Sequence, residues 1–314
     1  MSGVITRAAV ATEYGGPEVL DIIEVPTPEP GAGEVRIGVR GAGVNPIDFK
    51  VYSGMFGTKP ENLPMRLGFE VAGVIEAVGP DVTDFVVGDE IIAHQVSGGY
   101  AERIVAPVAT LVRKPTNLDW SEAAGLLLTG VTAVHSLTAV DASAGETILI
   151  HGAGGVGLAA IQLAKARGAR AIVTASPARH DELRALGAEP VAYGDGLLER
   201  VQALAPDGVD AALDFIGTDE ALEVSLALVA NRDRIATIAN FGSGPAAGIK
   251  ALGGGPGADP GTEIRSAAKF ELAELAGDGR FRVIVDQTFP LADVAAAHQL
   301  QASGHASGKV VLIP

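Results

Sequence analysis

The most informative segment of this 314-residue sequence reads Ile148-Leu149-Ile150-His151-Gly152-Ala153-Gly154-Gly155-Val156-Gly157. An apolar strand runs into a G-x-G-x-x-G turn, and residues 156–167 continue as a helical pattern. Gly152 allows the sharp turn, Gly154 lets backbone approach a pyrophosphate, and Gly157 permits close packing of the helix on the strand. The helix start offers N–H groups and a partial positive charge to phosphate. The segment predicts a dinucleotide site whose contacts are Gly152, Gly154, Gly155, Val156 and Gly157.

Strand and helix patterns alternate on the carboxyl side of this turn. The strand-like segments are 171–174, 191–193, 211–215 and 234–238, and the helical ones are 181–186 and 221–230. Alternation at these lengths is typical of a parallel sheet with right-handed crossovers. We therefore predict an α/β fold in which residues 123–257 form a Rossmann domain with a doubly wound parallel sheet.

The first third of the chain reads instead as short strands and turns. Residues 35–40 alternate apolar and polar side chains, residues 71–78 form a second strand-like run, and residues 85–92 hold a Gly-Asp turn between apolar runs. Short strands at close spacing predict an antiparallel, barrel-like domain, to which residues 1–122 are assigned.

The C-terminal part is predicted to return to this first domain. After the glycine- and proline-rich residues 248–261, a helical segment at 263–275 leads to strands around residues 282–285 and 309–313. Residues 258–314 are therefore assigned to the first domain, so that the dinucleotide domain is an insertion within it. Residues 248–261 are interpreted either as a flexible connection or as a lid over a substrate.

The composition excludes several classes of function. The net charge is −15, from 23 basic and 38 acidic side chains, and such a surface repels the phosphates of nucleic acid. Cysteine is absent, which excludes disulfides, a thiolate nucleophile and cysteine-based zinc sites. The first seven residues lack the apolar core of a signal peptide. Residues 123–140 read as a buried helix pair rather than a membrane span. We expect a cytoplasmic protein without a nucleic-acid or membrane partner.

The end of the second strand of the α/β domain indicates which dinucleotide is bound. A site for NAD usually has an acidic residue there, about 20 residues beyond the glycines, to bind the ribose 2′-hydroxyl. Here no carboxylate precedes Asp181, whereas Ser176 and Arg179 suit a 2′-phosphate and Tyr193 could close the same pocket. The sequence predicts NADP(H) over NAD(H). The alternative for Arg179 is a solvated cation at a helix start.

Further residues follow other strands at the ligand-binding edge of the predicted sheet. The residues expected to line the nicotinamide half of the cleft are Phe215, Gly217, Ala239 and Phe241. Asp214, at the end of its strand, is either part of this edge or a cap of the following loop.

Five motifs along the chain share a family pattern. They are Gly41-Ala42-Gly43-Val44-Asn45-Pro46-Ile47-Asp48, Gly68-Phe69-Glu70-Val71-Ala72-Gly73, Val87-Gly88-Asp89, Gly98-Gly99-Tyr100-Ala101-Glu102 and Gly304-His305-Ala306-Ser307-Gly308-Lys309-Val310-Val311-Leu312. Together they resemble the quinone oxidoreductase branch of the medium-chain dehydrogenase/reductase superfamily over essentially the whole chain. The resemblance implies a GroES-like catalytic domain of β-barrel type beside the Rossmann domain, and a homodimer or tetramer, of which we expect the homodimer.

The departures from the alcohol dehydrogenase branch concern zinc. That branch holds catalytic zinc with Cys, His and Cys, whereas the corresponding positions here are Asn45, Phe69 and a place near Gly125. Phenylalanine and glycine side chains cannot coordinate a metal. The resemblance therefore implies a zinc-independent enzyme with no metal site.

The same resemblance assigns roles to residues of the catalytic domain. Asn45 is expected beside the nicotinamide, and the alternative is a turn residue before Pro46. Asp48 and Tyr52 follow in the same segment, where the Tyr52 phenol could donate a proton or could simply be packed. Phe69 would turn the former zinc position into an apolar wall for a flat substrate.

Two more residues are expected to contact the cofactor. Thr129 lies at the predicted domain junction, near the expected nicotinamide position. Lys309 reaches the cofactor if the resemblance holds for it, and is otherwise a solvated cation.

The expected activity is hydride transfer from NADPH to a quinone or a conjugated enone or carbonyl, whose delocalised oxyanion needs little help from a metal. The alternatives are a 2-enoyl thioester reductase on the same scaffold and a non-catalytic NADPH-binding protein that acts as a redox sensor or structural partner.

Overall fold

The computed structural model describes residues 4–314, which fall into two compact units. One unit comprises residues 4–128 and Lys269–Pro314, and the other is Thr129–Ala268. The divisions lie near the boundaries expected after residues 122 and 257, which stay predictions for the limits of the domains.

Strands dominate the chain up to residue 128. The elements are β1 (Val4–Ala11), β2 (Leu20–Thr27), β3 (Glu34–Val44), α1 (Pro46–Tyr52), β4 (Met65–Arg66), β5 (Glu70–Val78), β6 (Glu90–His94), β7 (Arg103–Pro107), β8 (Leu111–Arg113), α2 (Trp120–Ala124) and α3 (Leu127–Ala139), which continues beyond it. Helix α3 lies within residues 123–140, for which a buried helix pair was predicted, whereas α2 overlaps that segment only at its last two residues. None of the helices within residues 4–314 is long and apolar enough to cross a membrane.

Strands and helices then alternate as far as residue 251, and a long helix with the return segment follows. The elements are β9 (Thr147–His151), α4 (Gly155–Ala166), β10 (Arg170–Thr174), α5 (His180–Leu186), β11 (Glu189–Val191), α6 (Leu197–Leu204), β12 (Ala211–Asp214), α7 (Asp219–Leu228), β13 (Ile235–Thr237), α8 (Ser243–Ala246), β14 (Lys250–Ala251), α9 (Thr262–Gly277), β15 (Val285–Pro290), α10 (Val294–Ala302) and β16 (Lys309–Ile313).

The first unit is built around β3, which has neighbours on both sides. The larger sheet has the order β15-β16-β3-β5-β6-β8, and β7 pairs with the first part of β3 while β16 pairs with its end. All of these pairs are antiparallel except β15 with β16. Two irregularities in the β3–β5 register accompany the curvature that a barrel-like sheet needs. A smaller antiparallel sheet has the order β2-β1-β4.

The Gly-Asp turn expected within residues 85–92 is present, but the apolar run before it is not a strand. Residues 85–87 are not part of β6, although their apolar side chains resemble a strand. The Asp89 carboxylate accepts the Val86 N–H at 3.0 Å, and the Asp89 N–H returns to the Val86 carbonyl at 3.1 Å. This turn uses the backbone groups that a strand would pair, and Val86 and Val87 remain exposed.

The second unit contains a six-stranded sheet in the order β11-β10-β9-β12-β13-β14, and every pair in it is parallel. The order reverses between β9 and β12, the point at which such sheets bind ligands beyond the carboxyl ends of their strands. In this register His151 at the end of β9 lies opposite Asp214 at the end of β12. The glycine turn therefore begins beside the loop after β12.

Residues 248–261 are tied together by backbone hydrogen bonds. The Asp259 N–H donates to the Ala251 carbonyl at 2.9 Å, and the Gly253 N–H donates to the Asp259 carbonyl at 2.7 Å. His135 of α3 lies 3.4 Å from the Asp259 carboxylate and packs directly against Gly261. Hydrogen bonds between its two ends thus give the segment a defined conformation, although it is rich in glycine.

Candidate active site

The glycine turn after β9 has the geometry that its sequence predicts. Gly152 has φ +97°, a left-handed conformation that suits glycine. A Cβ atom on Gly157 would overlap the Gly152 carbonyl, so α4 packs against the turn at a distance that only glycine permits. A Cβ on Gly154 would meet no atom within 4 Å, so the space beside this residue is open.

The backbone amides at the start of α4 point toward the glycine-rich loop that precedes the helix. Gly154 is the N-cap, and the first hydrogen bond of the helix runs from the Leu158 N–H to the Gly154 carbonyl at 2.8 Å. The amides of Gly155, Val156 and Gly157 precede that bond, and such amides suit a bound phosphate. The Gly152 N–H donates to the Thr174 hydroxyl at 3.1 Å, which fixes the start of the turn to the end of β10.

Asp214 is buried at the end of β12 and holds the neighbouring loops. Its Oδ1 accepts the N–H groups of Ile216 and Gly217 at 3.0 and 2.8 Å, and its Oδ2 accepts the Thr237 hydroxyl at 2.8 Å. This carboxylate acts as a loop cap, one of the two interpretations of the sequence.

The four residues expected at the nicotinamide lie on the loops after β12 and β13. Gly217 has φ +76°, and Ala239 packs against it, with its carbonyl carbon 3.0 Å from where a Cβ of Gly217 would stand. Phe215 and Phe241 are half-buried beside them, and Phe241 packs against Gly255. Their contact with a cofactor stays a prediction.

Arg179 lies against the glycine turn rather than in solvent. Its Nη1 donates to the Ala153 carbonyl at 2.6 Å, and its Nε and Nη2 donate to the two carboxylate oxygens of Glu182 at 3.2 Å each. The side chain is 19% exposed. Ser176 is the residue just before the short helical turn that carries Arg179, and its side chain makes no capping hydrogen bond to that turn. Tyr193 follows β11 with 57% of its surface exposed. A 2′-phosphate contact at these residues stays a prediction.

In the first unit, Lys309 forms a buried ion pair with Glu70. The Lys309 ammonium lies 2.6 Å from Glu70 Oε1 and 2.6 Å from Asn45 Oδ1. The Asn45 amide group donates to Glu70 Oε1 at 3.1 Å and to the Gly43 carbonyl at 3.0 Å. The second oxygen of Glu70 accepts the Leu128 N–H at 2.8 Å. The charge of Lys309 is thus neutralised beside Asn45.

Asp48 forms a second buried polar group, one helical turn from Asn45. Its Oδ2 accepts the Asn45 N–H and the Tyr100 hydroxyl, each at 2.8 Å, and the first of these bonds caps α1. Its Oδ1 has no partner within residues 4–314. Burial raises the pKa of this carboxyl to about 7, against the opposing effect of the Tyr100 hydrogen bond.

Tyr52, at the end of α1, is fully buried. Its hydroxyl lies 3.0 Å from Nδ1 of His298 on α10. Burial, with the nearby Asp48 carboxyl, raises the pKa of the phenol, and burial lowers the pKa of His298 to about 4. The pair is therefore a neutral phenol bonded to a neutral imidazole at ordinary pH.

Phe69 and Thr129 are two further residues predicted for the site. Phe69 is half-buried just before β5, and its carbonyl accepts the Val96 N–H at 3.3 Å. Thr129 is buried on α3. Neither position tests whether the residue touches substrate or cofactor.

Four residues that bind to the predicted ones in the structure were not singled out from the sequence: Glu70, Tyr100, Glu182 and His298. Only the pairing of Glu182 could have been predicted from sequence spacing. It follows Arg179 by three residues, the spacing at which helical side chains meet. Glu70 and Tyr100 stand inside quoted motifs, but their partners are 239 and 52 residues away along the chain.

Two positions that hold catalytic zinc in the alcohol dehydrogenase branch carry Asn45 and Phe69 here. The Asn45 oxygen and the Glu70 carboxylate already bind an ammonium group, and Phe69 offers no ligand atom. In the part of the chain that the structure describes, no cluster of three or more His, Cys, Asp or Glu side chains could hold a metal.

Comparison with known proteins gives consistent matches. Residues 31–116 match the alcohol dehydrogenase GroES-like domain, and residues 186–312 match the family described as zinc-binding dehydrogenase. The second match includes none of the three expected zinc positions. A quinone oxidoreductase of Pseudomonas aeruginosa is 38% identical over 96% of this chain and 97% of its own length.

Two solved structures are also similar. Escherichia coli quinone oxidoreductase complexed with NADPH has a TM-score of 0.86 and 28% identity, covering 98% of this chain and all of the other. The CurK enoyl reductase has a TM-score of 0.86 and 27% identity, covering 98% of this chain and 99% of its own.

The fold, the glycine turn and these relatives define an oxidoreductase that uses a nicotinamide cofactor. The chain belongs to the medium-chain dehydrogenase/reductase superfamily, in its quinone oxidoreductase branch. The predicted family and fold class, a GroES-like domain with a Rossmann domain, are confirmed.

Proposed function

We propose that this protein is a zinc-independent, NADPH-dependent reductase that transfers hydride to a quinone or to a conjugated enone or carbonyl. The observation that carries the proposal is the buried Lys309 ammonium, 2.6 Å from both Asn45 Oδ1 and Glu70 Oε1. A cation fixed between these oxygens opposes the binding of a divalent cation at the expected zinc position.

The residues proposed to hold NADPH belong to several elements. The pyrophosphate would bind at the α4 amides, and Ser176, Arg179 and Tyr193 would surround the 2′-phosphate. The nicotinamide would contact Thr129, Phe215, Gly217, Ala239 and Phe241, with Asn45 and Lys309 as further contacts. The NADPH complex of the Escherichia coli relative supports this choice of cofactor. Bound NADPH would supply a hydride from C4 of its ring.

The residues of this chain would position the acceptor and manage its proton. Phe69 offers an apolar wall to a flat ring, and a quinone or enone spreads the negative charge that hydride transfer creates. Asp48 can carry a proton at neutral pH because the pKa of its carboxyl is about 7. The Tyr52 phenol, held by His298, keeps its proton at any physiological pH. We propose Tyr52 and Asp48 as the groups that hold the proton for the reduced product.

The proposal extends to the number of chains in the protein and to its place in the cell. We propose a cytoplasmic homodimer that binds a small molecule, with no nucleic-acid or membrane partner. Light scattering of the purified protein should give twice the mass of one chain, and the mass of a single chain would exclude the dimer.

A 2-enoyl thioester reductase is the second candidate, favoured by the similarity to the CurK enoyl reductase. The test is NADPH consumption by chelator-treated protein with benzoquinone, a simple enone and an enoyl thioester. We expect turnover with the quinone or the enone. Turnover restricted to the thioester would favour the second candidate, and tight NADPH binding without any turnover would favour a non-catalytic NADPH-binding protein.

A further inference from the structure

Arg179, the residue expected to bind a 2′-phosphate, is already engaged by a carboxylate. Both oxygens of Glu182 accept from its guanidinium at 3.2 Å, while its Nη1 holds the Ala153 carbonyl in the glycine turn. One side chain therefore joins the turn, the expected 2′-phosphate pocket and an acidic residue.

The local sequence enforces this pairing. Residues Pro177–Arg179 form a short helical turn that runs directly into α5, so residues 179 and 182 share one face. Glu182 stands in the first turn of α5, where a negative charge is favourable. Its side chain is 38% exposed, so a ligand can approach the carboxylate.

The two partners favour different dinucleotides. A carboxylate suits the ribose 2′-hydroxyl of NADH and repels the 2′-phosphate of NADPH, whereas an arginine pairs with that phosphate. A 2′-phosphate that pairs with Arg179 must compete with Glu182 for the same guanidinium.

We propose that Glu182 is a specificity-determining residue, which limits the preference for NADPH over NADH by holding Arg179 in an ion pair. The inference rests on the proposed function, because it concerns the same cofactor site. Arg179 also contributes to the binding of both dinucleotides, since it holds the glycine turn through the Ala153 carbonyl.

The test is a direct titration of NADPH and NADH by fluorescence, which does not depend on turnover. For Glu182→Gln we expect the ratio of the two Kd values to shift toward NADPH by about fivefold, the upper range for a partly exposed ion pair. An unchanged ratio, or a shift toward NADH, would overturn the inference.

A matched control lies one residue away. Asp181 pairs with Arg184 on the outer face of α5, at 2.7 Å. Asp181→Asn removes the same charge from the same helix, so we expect it to leave the ratio nearly unchanged. If it shifts the ratio as far as Glu182→Gln does, the effect is one of general charge and the inference fails.

A second variant tests whether Glu182→Gln changes the ratio of the two Kd values by releasing Arg179. In an Arg179→Ala background, Glu182→Gln should shift the ratio toward NADPH clearly less than it does in wild type, because no guanidinium is released and only the direct repulsion of the 2′-phosphate is relieved. Wild-type protein that binds only NADH would overturn the proposed choice of cofactor. Wild-type protein that prefers NADPH, with a ratio insensitive to Glu182→Gln, would overturn this inference alone.

Discussion

Lys309 and Glu70 carry opposite charges in an interior from which water is almost excluded. Their side chains are 5% and 0% exposed, and Asn45 and the Leu128 amide satisfy the remaining polar atoms. Such a pair adds little net stability, but either partner alone would be a buried charge without compensation. Asn45 thereby gains a structural task in addition to the role expected from the family resemblance.

Removal of one partner should be costly. We expect Lys309→Met to reduce the free energy of unfolding by about 3–5 kcal/mol in urea titrations, because it leaves the Glu70 carboxylate unpaired. Arg7→Met, which breaks the exposed pair of Arg7 with Glu102, should have a far smaller effect. Equal losses of unfolding free energy in the two variants would mean that breaking the buried pair costs no more than breaking an exposed one.

Asp48 should give the stability a distinct pH dependence. Because its folded pKa, about 7, lies above the ordinary value of 3.8, its contribution is complete below pH 4 and is lost as the pH rises to 7. The stability of wild type minus that of Asp48→Asn should therefore fall by a few kcal/mol between pH 4 and 7. His151 and His298 titrate in both proteins and cancel in this difference. A flat difference would contradict the pKa.

At the residue scale, the sequence predicted single side chains better than their partners. Asn45, Asp48 and Lys309 were singled out, but the Glu70 carboxylate that joins two of them was not. A pairing across 239 residues leaves no periodic signal in the chain.

Among the elements, the unit of β9, the glycine turn and α4 needs glycine for two different reasons, close packing at one position and open space at another. Gly157 is required by packing, because a Cβ there would overlap the Gly152 carbonyl. Gly154 has φ −75°, which any residue can adopt, and its Cβ would enter open space. The spacing of the motif predicted the close packing at Gly157, and the approach of a pyrophosphate at Gly154 stays a prediction.

Alanine at these two positions should therefore give opposite results. Gly157→Ala should destabilise the fold by about 1–3 kcal/mol or more, through overpacking. Gly154→Ala should change stability by less than about 1 kcal/mol, yet weaken NADPH binding about tenfold or more by filling space near the phosphates. Thermal unfolding and dinucleotide titration measure the two effects. Unimpaired binding by Gly154→Ala would place the pyrophosphate elsewhere.

The Gly-Asp turn within residues 85–92 was expected, but the absence of a strand just before it was not. Residues 85–87 are apolar, but the Asp89 carboxylate draws the Val86 amide into a turn. The pattern of apolar residues cannot register such a local hydrogen bond.

At the scale of the whole molecule, the change of rhythm from short strands to strand–helix alternation predicted two kinds of sheet in one chain. Five of the six parallel strands were expected from that alternation and from right-handed crossovers. The sixth, β14, lies within residues 248–261, which were interpreted as a flexible connection or a lid. The return of the C-terminal segment to the first unit was also predictable, and β16 pairs with β3 as that return requires. The pairing of β3 with other strands along both of its edges was not predictable, because the residue pattern of one strand does not specify its neighbours.

We propose above all that this chain transfers hydride from NADPH to a quinone without a metal. The most direct measurement follows a single turnover of chelator-treated protein with benzoquinone and NADPH deuterated at C4 on the transferred side. We predict full oxidation of NADPH, slowed by the deuterium and unaffected by added zinc. Bound NADPH that stays reduced, or that is oxidised only after zinc is restored, would contradict the claim.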